Sequence, residues 1–370
     1  MRLKFSIRPA ALLALALAGT IPPALPAESL EGRSSTPPIR QERSPVYSIL
    51  TAPEGGGVIT SAYRKGVQLW GVGADGNFHL RRTLVPFDEG HPTVFARLSP
   101  DGRTLATWGF GSDVYLWDRR TGARTGRFRE FRGSAVGVAF SPDGKEVAVG
   151  TGQSPVITRL GKPVPGFGEV VIWDPSAGKV RRRLGGFEEA VGVLAYAPNG
   201  HTLAVANRGK VLLYDARTGE RKRELSGGPG SVHALALSPD GRRIAAGGME
   251  LGREEEGALA LWDAATGERL CRWESKDRRV SSLAYSPDGS TLASGGQDGS
   301  LKLWTFHRQG GMREEWFPRL AHTLTGHQNE VVTLSYFPNG RRLASGSVDG
   351  MVGLWDTKTA RLVVGLTIRP

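Results

Sequence analysis

Three polar residues near the carboxyl end of the chain, His327, Ser345 and Asp349, are of the types that form a nucleophilic catalytic triad. Such a triad also needs an exposed serine and an oxyanion hole in a cleft. The sequence has no G-x-S-x-G turn that would expose the serine. The same Ser-to-Asp spacing recurs earlier, at Ser294 and Asp298. The spacing therefore follows a repeated unit, and we predict no catalytic residues.

Metal and cofactor chemistry is equally weakly indicated. The seven His residues include no H-x-H or H-x-x-x-H spacing. The single cysteine, Cys271, rules out an intramolecular disulfide and a zinc site built on paired cysteines, and its strand-like surroundings predict a small buried apolar residue. No G-x-x-x-x-G-K-[ST] phosphate loop occurs. We therefore predict neither a metal ion nor a cofactor.

The amino-terminal segment differs in composition from the rest of the chain. Three basic residues precede an apolar run, A-A-L-L-A-L-A-L-A, at residues 10–18. This order is typical of a secretory signal peptide, with small residues that permit cleavage after Ala18 or Ala27. We expect residues 1–27 to be that signal, and the protein to be exported to the periplasm, the cell envelope or the extracellular space. Residues 28–45 are rich in Ser, Pro and charge, which favours a disordered linker.

From Val46 onward a pattern of two elements recurs. The first element is a Pro-Asp-Gly or Pro-Asn-Gly turn, eroded to Pro-Glu-Gly at Pro53, in which proline fixes φ and glycine completes a tight reversal, so each copy predicts a hairpin. The turns are centred on Pro53, Pro100, Pro142, Pro198, Pro239, Pro287 and Pro338. The second element is a strand-like run that ends in an aromatic residue, usually followed by Asp. The aromatic residues are Trp70, Trp117, Trp173, Tyr214, Trp262, Trp304 and Trp355.

This signature, present seven times over residues 46–370, resembles that of the tryptophan-aspartate (WD) repeat family. The resemblance implies an all-β fold, a seven-bladed β-propeller with four antiparallel strands per blade. A single four-stranded sheet cannot bury both faces, whereas sheets stacked around a ring can. The last repeat has its own fourth strand at residues 360–366, so we expect the ring to close by packing blade one on blade seven. In many relatives an amino-terminal strand completes the last blade instead.

In the WD-repeat family, a histidine, a serine or threonine, an aspartate and the tryptophan can form a buried hydrogen-bond relay within a blade. The resemblance implies one in blade seven, formed by His327, Ser345, Asp349 and Trp355. Partial sets occur in blade six, with Ser294, Asp298 and Trp304, and in blade two, with His91 and Trp117. We expect a structural role, because a satisfied buried network fixes strand geometry.

The chain carries 48 Lys and Arg against 36 Asp and Glu, a net charge of +12. Basic residues cluster in the predicted fourth strands, the outermost of each blade, as at residues 81–82, 181–183 and 221–223. Charge at these unpaired edges protects against aggregation. The alternative is a positive rim that binds an anionic polymer. Aromatic residues do not interleave these clusters, so we predict no nucleic-acid partner.

The resemblance implies a non-enzymatic interaction scaffold that binds a protein partner. We expect a monomer, and no stable membrane span, since the apolar run at residues 10–18 is too short for one. One alternative is a propeller enzyme or cofactor-binding propeller, although His233 is the one ionisable residue in the predicted first strands of blades three to six. The other alternative is a binder of anionic envelope polymers through the basic rim. Fold alone does not decide between these functions.

In a propeller the second-to-third strand loops share one face, here called the top face, with the blade-to-blade connections. Two such loops are long, at residues 151–168 in blade three and 249–257 in blade five, and they flank the short loop 207–209 of blade four. We expect a saddle between two walls of opposite charge, and place a partner there. The predicted contact residues are Arg159, Lys162, Arg208, Glu250, Glu254, Glu255 and Glu256. A third insertion, at 306–318, should hang from the opposite, bottom face.

Overall fold

Thirty β-strands make up the computed structural model, which describes residues 43–369 except 53, 74, 87–92, 110–112, 154–155, 158–162 and 310–314. Blades one to four contain β1 (Val46–Thr51), β2 (Gly57–Ala62), β3 (Gly66–Val72), β4 (Phe78–Val85), β5 (Thr93–Leu98), β6 (Thr104–Gly109), β7 (Val114–Asp118), β8 (Arg124–Phe128), β9 (Ser134–Phe140), β10 (Val147–Gln153), β11 (Val156–Ile157), β12 (Pro163–Val164), β13 (Phe167–Asp174), β14 (Lys179–Phe187), β15 (Val193–Tyr196), β16 (Thr202–Asn207), β17 (Lys210–Asp215) and β18 (Arg221–Leu225). Blades five to seven contain β19 (Ser231–Leu237), β20 (Arg243–Glu250), β21 (Arg253–Asp263), β22 (Arg269–Glu274), β23 (Val280–Tyr285), β24 (Thr291–Gly296), β25 (Leu301–Gln309), β26 (Glu315–Leu324), β27 (Val331–Tyr336), β28 (Arg342–Ser347), β29 (Met351–Asp356) and β30 (Arg361–Thr367).

These strands form seven four-stranded antiparallel sheets, and only the short β11–β12 pair stands apart within the described residues. The first strands of successive sheets contact one another around the ring, and β27 contacts β1. The predicted seven-bladed, all-β propeller is therefore confirmed.

Burial explains why the middle strands read as apolar runs. In β17, Val211 to Tyr214 are all buried, because both faces of the sheet are covered by neighbouring blades. The outermost strands differ: in β18 the first three residues are exposed. The basic fourth strands of the sequence are thus the rim of the propeller.

The hydrophobic core consists mainly of seven clusters, one between each pair of adjacent blades. The aromatic residue that ends each third strand fills this space. Trp173 of blade three stacks on Phe128 of blade two with ring centroids 4.8 Å apart. Trp262 and Trp355 are almost wholly inaccessible to solvent.

The ring closes between blade seven and blade one, each of which is built from one contiguous stretch. The Ile49 N–H donates to Thr333 Oγ1 at 3.1 Å, and the Thr51 N–H donates to Ser335 Oγ at 3.1 Å. The Ser44 N–H donates to the Ile368 carbonyl at 3.1 Å, which ties the two ends of the described chain together. Closure by packing is the arrangement we expected. The bond from Ser44 places the start of the packed structure slightly ahead of the predicted boundary at Val46.

Two insertions that the sequence suggested were loops are largely strand. In blade five, β20 and β21 continue pairing to Glu250 and Arg253, around a turn at Leu251 and Gly252. In blade six, β25 and β26 pair out to Gln309 and Glu315. Packing accounts for the second extension, because Phe306 lies edge-on against Trp273 with ring centroids 5.5 Å apart.

Candidate partner-binding face

The blade-seven relay is assembled around one hydroxyl group. His327 Nε2 lies 2.7 Å from Ser345 Oγ, and Trp355 Nε1 donates to the same oxygen at 2.8 Å. On the other side of the imidazole, Nδ1 lies 3.3 Å from Asp349 Oδ2, which also accepts from the Gln328 N–H at 2.7 Å. Burial opposes ionisation of Asp349, but these hydrogen bonds outweigh it and hold the pKa below its usual value. Ser345 is inaccessible to solvent, so it is a bonding partner here and not an exposed nucleophile.

The partial sets are only partly brought together. In blade six, Trp304 Nε1 donates to Ser294 Oγ at 2.9 Å, but Asp298 accepts from the backbone and hydroxyl of Ser300 within its own turn. In blade two, Trp117 Nε1 donates at 2.8 Å to Thr107, a residue that the sequence reading missed. His91 lies outside the described residues.

The tryptophan-to-hydroxyl bond is the feature that recurs. Thr60 accepts from Trp70 at 2.9 Å in blade one, as Thr107 does from Trp117 in blade two. In blades one, two, six and seven the hydroxyl residue stands ten positions before the tryptophan. A search for a Ser or Thr at that interval, without the His and Asp, would have found all four.

The rim arginines of three blades are used as clasps between neighbouring blades. Arg82 on β4 donates to the carbonyl oxygens of Arg120 and Thr121 in blade two, the first at 2.6 Å. Arg182 on β14 donates at 2.9 Å to the Arg217 carbonyl of blade four, and Arg223 on β18 donates to the Thr266 carbonyl of blade five. Each clasp joins a fourth strand to the third-to-fourth turn of the next blade, so these guanidinium groups are already engaged. That use weakens the hypothesis of a basic rim for anionic polymers.

Two buried ion pairs lie beneath the top face between blades five, six and seven. Lys302 Nζ on β25 is 2.5 Å from Asp277 Oδ1 in the connection before β23. Burial raises the pKa of Asp277 to about 6, against the opposing effect of Lys302. Arg279 Nη2 is 2.6 Å from Glu330 Oε1, which ties the start of blade six to the start of blade seven. These contacts join distant segments, so local sequence patterns do not predict them.

The floor of the predicted saddle is the tight turn of blade four at Asn207–Gly209. Gly209 has φ of +74° and lies so close to the next blade that a Cβ atom would stand 2.2 Å from the Gly230 carbonyl oxygen. Only glycine fits this approach. Arg208 does not extend freely from the floor, since its guanidinium binds Glu188 and, at 3.0 Å, Glu189.

The wall on the blade-five side is the β20–β21 hairpin. Its tip residue Leu251 packs over Gly230, where a Cβ atom would come 2.9 Å from Leu251 Cγ. Leu251 is nevertheless 73% exposed. Glu250 forms an ion pair with Arg272 of β22, and Glu256 is half-buried. Glu254 and Glu255 lie on β21, but their side chains are not among those described.

The wall on the blade-three side is shorter than expected. Strands β10 and β13 pair out to Gln153 and Phe167, so the connection that remains spans 154–166 and includes the β11–β12 pair. Val164 on β12 is exposed. Arg159 and Lys162 lie outside the described residues, so the predicted positive charge of this wall stays a prediction.

Comparison with known proteins identifies the repeat. The WD40 family, described as "WD domain, G-beta repeat", matches residues 219–263, 267–305 and 318–356. Three segments of this propeller thus match the WD40 repeat. Together they cover sections of blades four to seven and support a WD-repeat family for the chain.

Two relatives extend this comparison. The first, "Cell division cycle 20.1, cofactor of APC complex" from Arabidopsis thaliana, is 34% identical over 93 residues, which are 24% of this chain and 17% of the relative. The chain thus matches only a small fraction of that protein's length. A chain in the crystal structure of a mitotic checkpoint complex superimposes with a TM-score of 0.67 at 19% identity, over 91% of this chain and 99% of that one. At that identity the likeness shows the fold.

The prediction that the protein is exported is wrong. The relative from Arabidopsis thaliana is described as a cell division cycle protein, which points away from an exported protein. The prediction rested only on composition, an apolar run behind basic residues, and segment 1–27 lies outside the described residues. The hypothesis of an envelope-polymer binder loses its premise with it.

Within the stretch of chain that the structure describes, no group of three or more His, Cys, Asp or Glu residues is placed to hold a metal ion. The same residues contain no helix with the length and apolar character needed to cross a membrane. Cys271 on β22 is only partly buried, although that burial raises the pKa of its thiol to about 12.

Proposed function

We propose that this protein is a non-enzymatic scaffold that binds a protein partner at the saddle on its top face, between the hairpin of blade five and the connection of blade three. The observation that carries the proposal is the pair of exposed apolar side chains at the two walls. Leu251 and Val164 both lie in second-to-third strand connections, and both are exposed. A rigid ring that presents apolar residues around a polar floor has the composition of a protein-binding surface.

The floor adds directional polar groups. Arg208 is held by Glu188 and Glu189 in a fixed position, with half of its side chain exposed. A guanidinium already oriented by two carboxylates loses little conformational entropy when a partner contacts it. Apolar anchors at the rim of this polar floor would give both affinity and register.

A hydrolase that uses the His–Ser–Asp set as a catalytic triad has less support than a binding scaffold. Ser345 is inaccessible to solvent and accepts the tryptophan N–H in a way that recurs in three other blades. His233, the ionisable residue on β19, is buried, and desolvation lowers its pKa to about 4, so it is neutral near pH 7. The likeness to a cofactor of the APC complex supports protein binding.

The test is affinity capture from the native source with wild-type protein and a Val164→Ser, Leu251→Ser double variant, followed by identification of the retained proteins and measurement of their affinity. We expect the double variant to lose at least tenfold in affinity for the partner, because both apolar anchors become polar.

The matched control is Leu80→Ser, since Leu80 is an exposed leucine (48%) on the outer strand β4, away from the top face. This control should bind the partner as tightly as the wild type does. The wild type, the double variant and the control should all have the same melting temperature. A partner that binds the double variant and the wild type equally well would place the interface elsewhere.

A further inference from the structure

Two clefts on the bottom face are built alike but filled differently. One lies between blades three and four, with a volume of about 750 Å³, and the other lies between blades six and seven, with about 970 Å³. Each is bounded by the first-to-second strand turns of two neighbouring blades and by a third-to-fourth strand turn. The tyrosine that ends a first strand lines each cleft, Tyr196 in one and Tyr336 in the other.

The cleft between blades three and four is spanned by ion pairs. Arg182 lies 2.6 Å from each carboxylate oxygen of Glu146 and also clasps the Arg217 carbonyl of blade four. Beside it, Arg181 is paired with Asp174. The two arginines and the carboxylates that they bind therefore fill part of this cleft.

The cleft between blades six and seven has neither of these ion pairs at the equivalent strand positions. His322 is opposite Leu303, the residue before Trp304, as Arg182 is opposite Ile172, the residue before Trp173. In the first-to-second turn, Thr291 stands where blade three has Glu146. The neighbouring pair of Arg181 and Asp174 corresponds to Ala321 and Thr305. Shorter side chains thus stand where blade three has two ion pairs. The cleft between blades six and seven is larger for this reason.

The open cleft contains one buried donor without an internal partner. Tyr336 is only 9% exposed, and its hydroxyl has no hydrogen-bond partner among the described residues. The Tyr196 hydroxyl of the other cleft has none either, but there the two arginines and their carboxylates fill the space beside it. Burial raises the pKa of this hydroxyl far above its usual value, so it keeps its proton and can donate. A buried hydroxyl without a partner is costly, which points to a group that completes it.

The charged residues of this cleft are not equivalent to one another. Arg341 and Lys358 line it from blade seven, and the structure gives their side chains no ion pair with any described residue. The carboxylates of Asp288 and Asp356 also line it, but they accept hydrogen bonds from their own turns, Asp288 from Ser290 and Asp356 from Thr359. These hydrogen bonds lower the pKa of both carboxyl groups, so Asp288 and Asp356 keep their negative charge but are held by their own turns. Arg341 and Lys358 are the groups of this cleft that can turn to a ligand.

We propose that the cleft between blades six and seven is a second binding site, on the face opposite the saddle, for the phosphoryl group of a ligand. Tyr336, Thr305 and His322 supply donors inside it, and Arg341 and Lys358 supply positive charge. A phosphoryl group has three strong acceptor oxygens and about two negative charges, so it matches this donor set better than a carboxylate does. The volume lies within the range of about 300–1,000 Å³ usual for small-ligand sites.

The test uses the full-length protein with three probes: inorganic phosphate, a short phosphoserine peptide, and the same peptide without phosphate. Binding is followed by calorimetry and by the NMR signals of the His322 ring. We expect a saturable shift of His322 with phosphate, with the phosphopeptide, or with both, at millimolar concentration or below. A response to phosphate alone identifies a small phosphate compound, and a response to the phosphopeptide alone identifies a modified protein.

Two variants decide whether the cleft is the site. His322→Arg with Thr291→Glu rebuilds the ion pair of the blade three–four cleft and should lower affinity at least tenfold, with an unchanged or higher melting temperature. Tyr336→Phe removes only the unpartnered hydroxyl and should weaken binding several-fold without loss of stability. His307→Arg, an added charge on the exposed end of the same blade outside the cleft, should bind like the wild type.

Three results would overturn the proposal: no probe shifts His322, the unphosphorylated peptide binds as tightly as the phosphopeptide, or Tyr336→Phe binds the phosphate probes as tightly as the wild type. Because these measurements concern the bottom face, they are independent of the saddle and of its partner.

Discussion

At the scale of single residues, Asp349 joins the relay to the backbone. It accepts from the Gln328 and Met351 N–H groups, each at 2.7 Å, as well as facing His327. We expect Asp349→Ala to lower the free energy of unfolding by about 1–3 kcal/mol, because buried donors lose their acceptor. The measurement is denaturant unfolding. Asp298→Ala is the matched control and should cost less, since Asp298 accepts only from Ser300 in its own turn among the described residues.

The same carboxyl gives a pH prediction. Its pKa is lowered in the folded protein, so the unfolded chain binds a proton at higher pH than the native one does. The stability that it contributes is therefore present above the ordinary Asp pKa of about 4 and is lost as the pH falls through the lowered value. The difference between wild type and Asp349→Ala should shrink below about pH 4. A difference that is constant with pH would show that the carboxylate charge does not matter.

The residue scale also shows which contacts a local sequence pattern can indicate. His327, Ser345, Asp349 and Trp355 form one network in the structure, because the strand register fixes their separations. Thr60 and Thr107 were missed because the search required a complete relay, whereas the bond needs only a hydroxyl that faces the tryptophan. Ion pairs such as that of Lys302 and Asp277 could not be predicted from the sequence, since they depend on how two blades pack against each other.

At the scale of elements, the clasps make a testable claim about the rim. Arg82 binds two carbonyl oxygens of blade two, and Arg81, next to it on β4, makes no such bond to a described residue of that blade. We expect Arg82→Met to lower the free energy of unfolding by about 1 kcal/mol, less than is usual for a hydrogen bond from a charged group because the site is exposed. Arg81→Met should change it by no more than about 0.5 kcal/mol. Equal effects of the two substitutions would mean that the rim arginines act only through their charge.

The elements that the sequence misjudged were the insertions. Turn residues and aromatic strand ends locate the hairpins because each has its own local conformational preference. The added hairpins of blades five and six carry no such repeat, and they became strands because their backbones continue the ladder of an existing sheet. Their side chains then found partners that no local pattern encodes, as Phe306 did on Trp273.

At the scale of the whole molecule, seven copies of one signature were enough to predict the ring, because each blade meets only its two neighbours. Neither the partner nor the cellular location follows from the same pattern. Net charge describes encounter and solubility, and here three of the rim arginines are bound as clasps between blades. The saddle was predicted from loop lengths, but its exposed apolar residues, Leu251 and Val164, required the structure.

The closed ring leads to a last prediction, since the interface between blades seven and one is one of seven similar cores. Ser44 and Ile368 are hydrogen-bonded at 3.1 Å, so a short Gly-Ser linker can join the ends of the propeller. A circular permutant with that linker, and with new ends opened within residues 87–92 between blades one and two, keeps every blade contiguous. We expect it to unfold cooperatively, with a melting temperature within about 5 °C of the wild type. The measurement is a thermal melt followed by circular dichroism and calorimetry.

As a control, new ends at Leu212 and Leu213 inside the buried strand β17 should prevent folding, because they cut a strand that is paired on both sides. If the first permutant failed as the second does, closure between blades seven and one would depend on the native chain ends and not on packing alone.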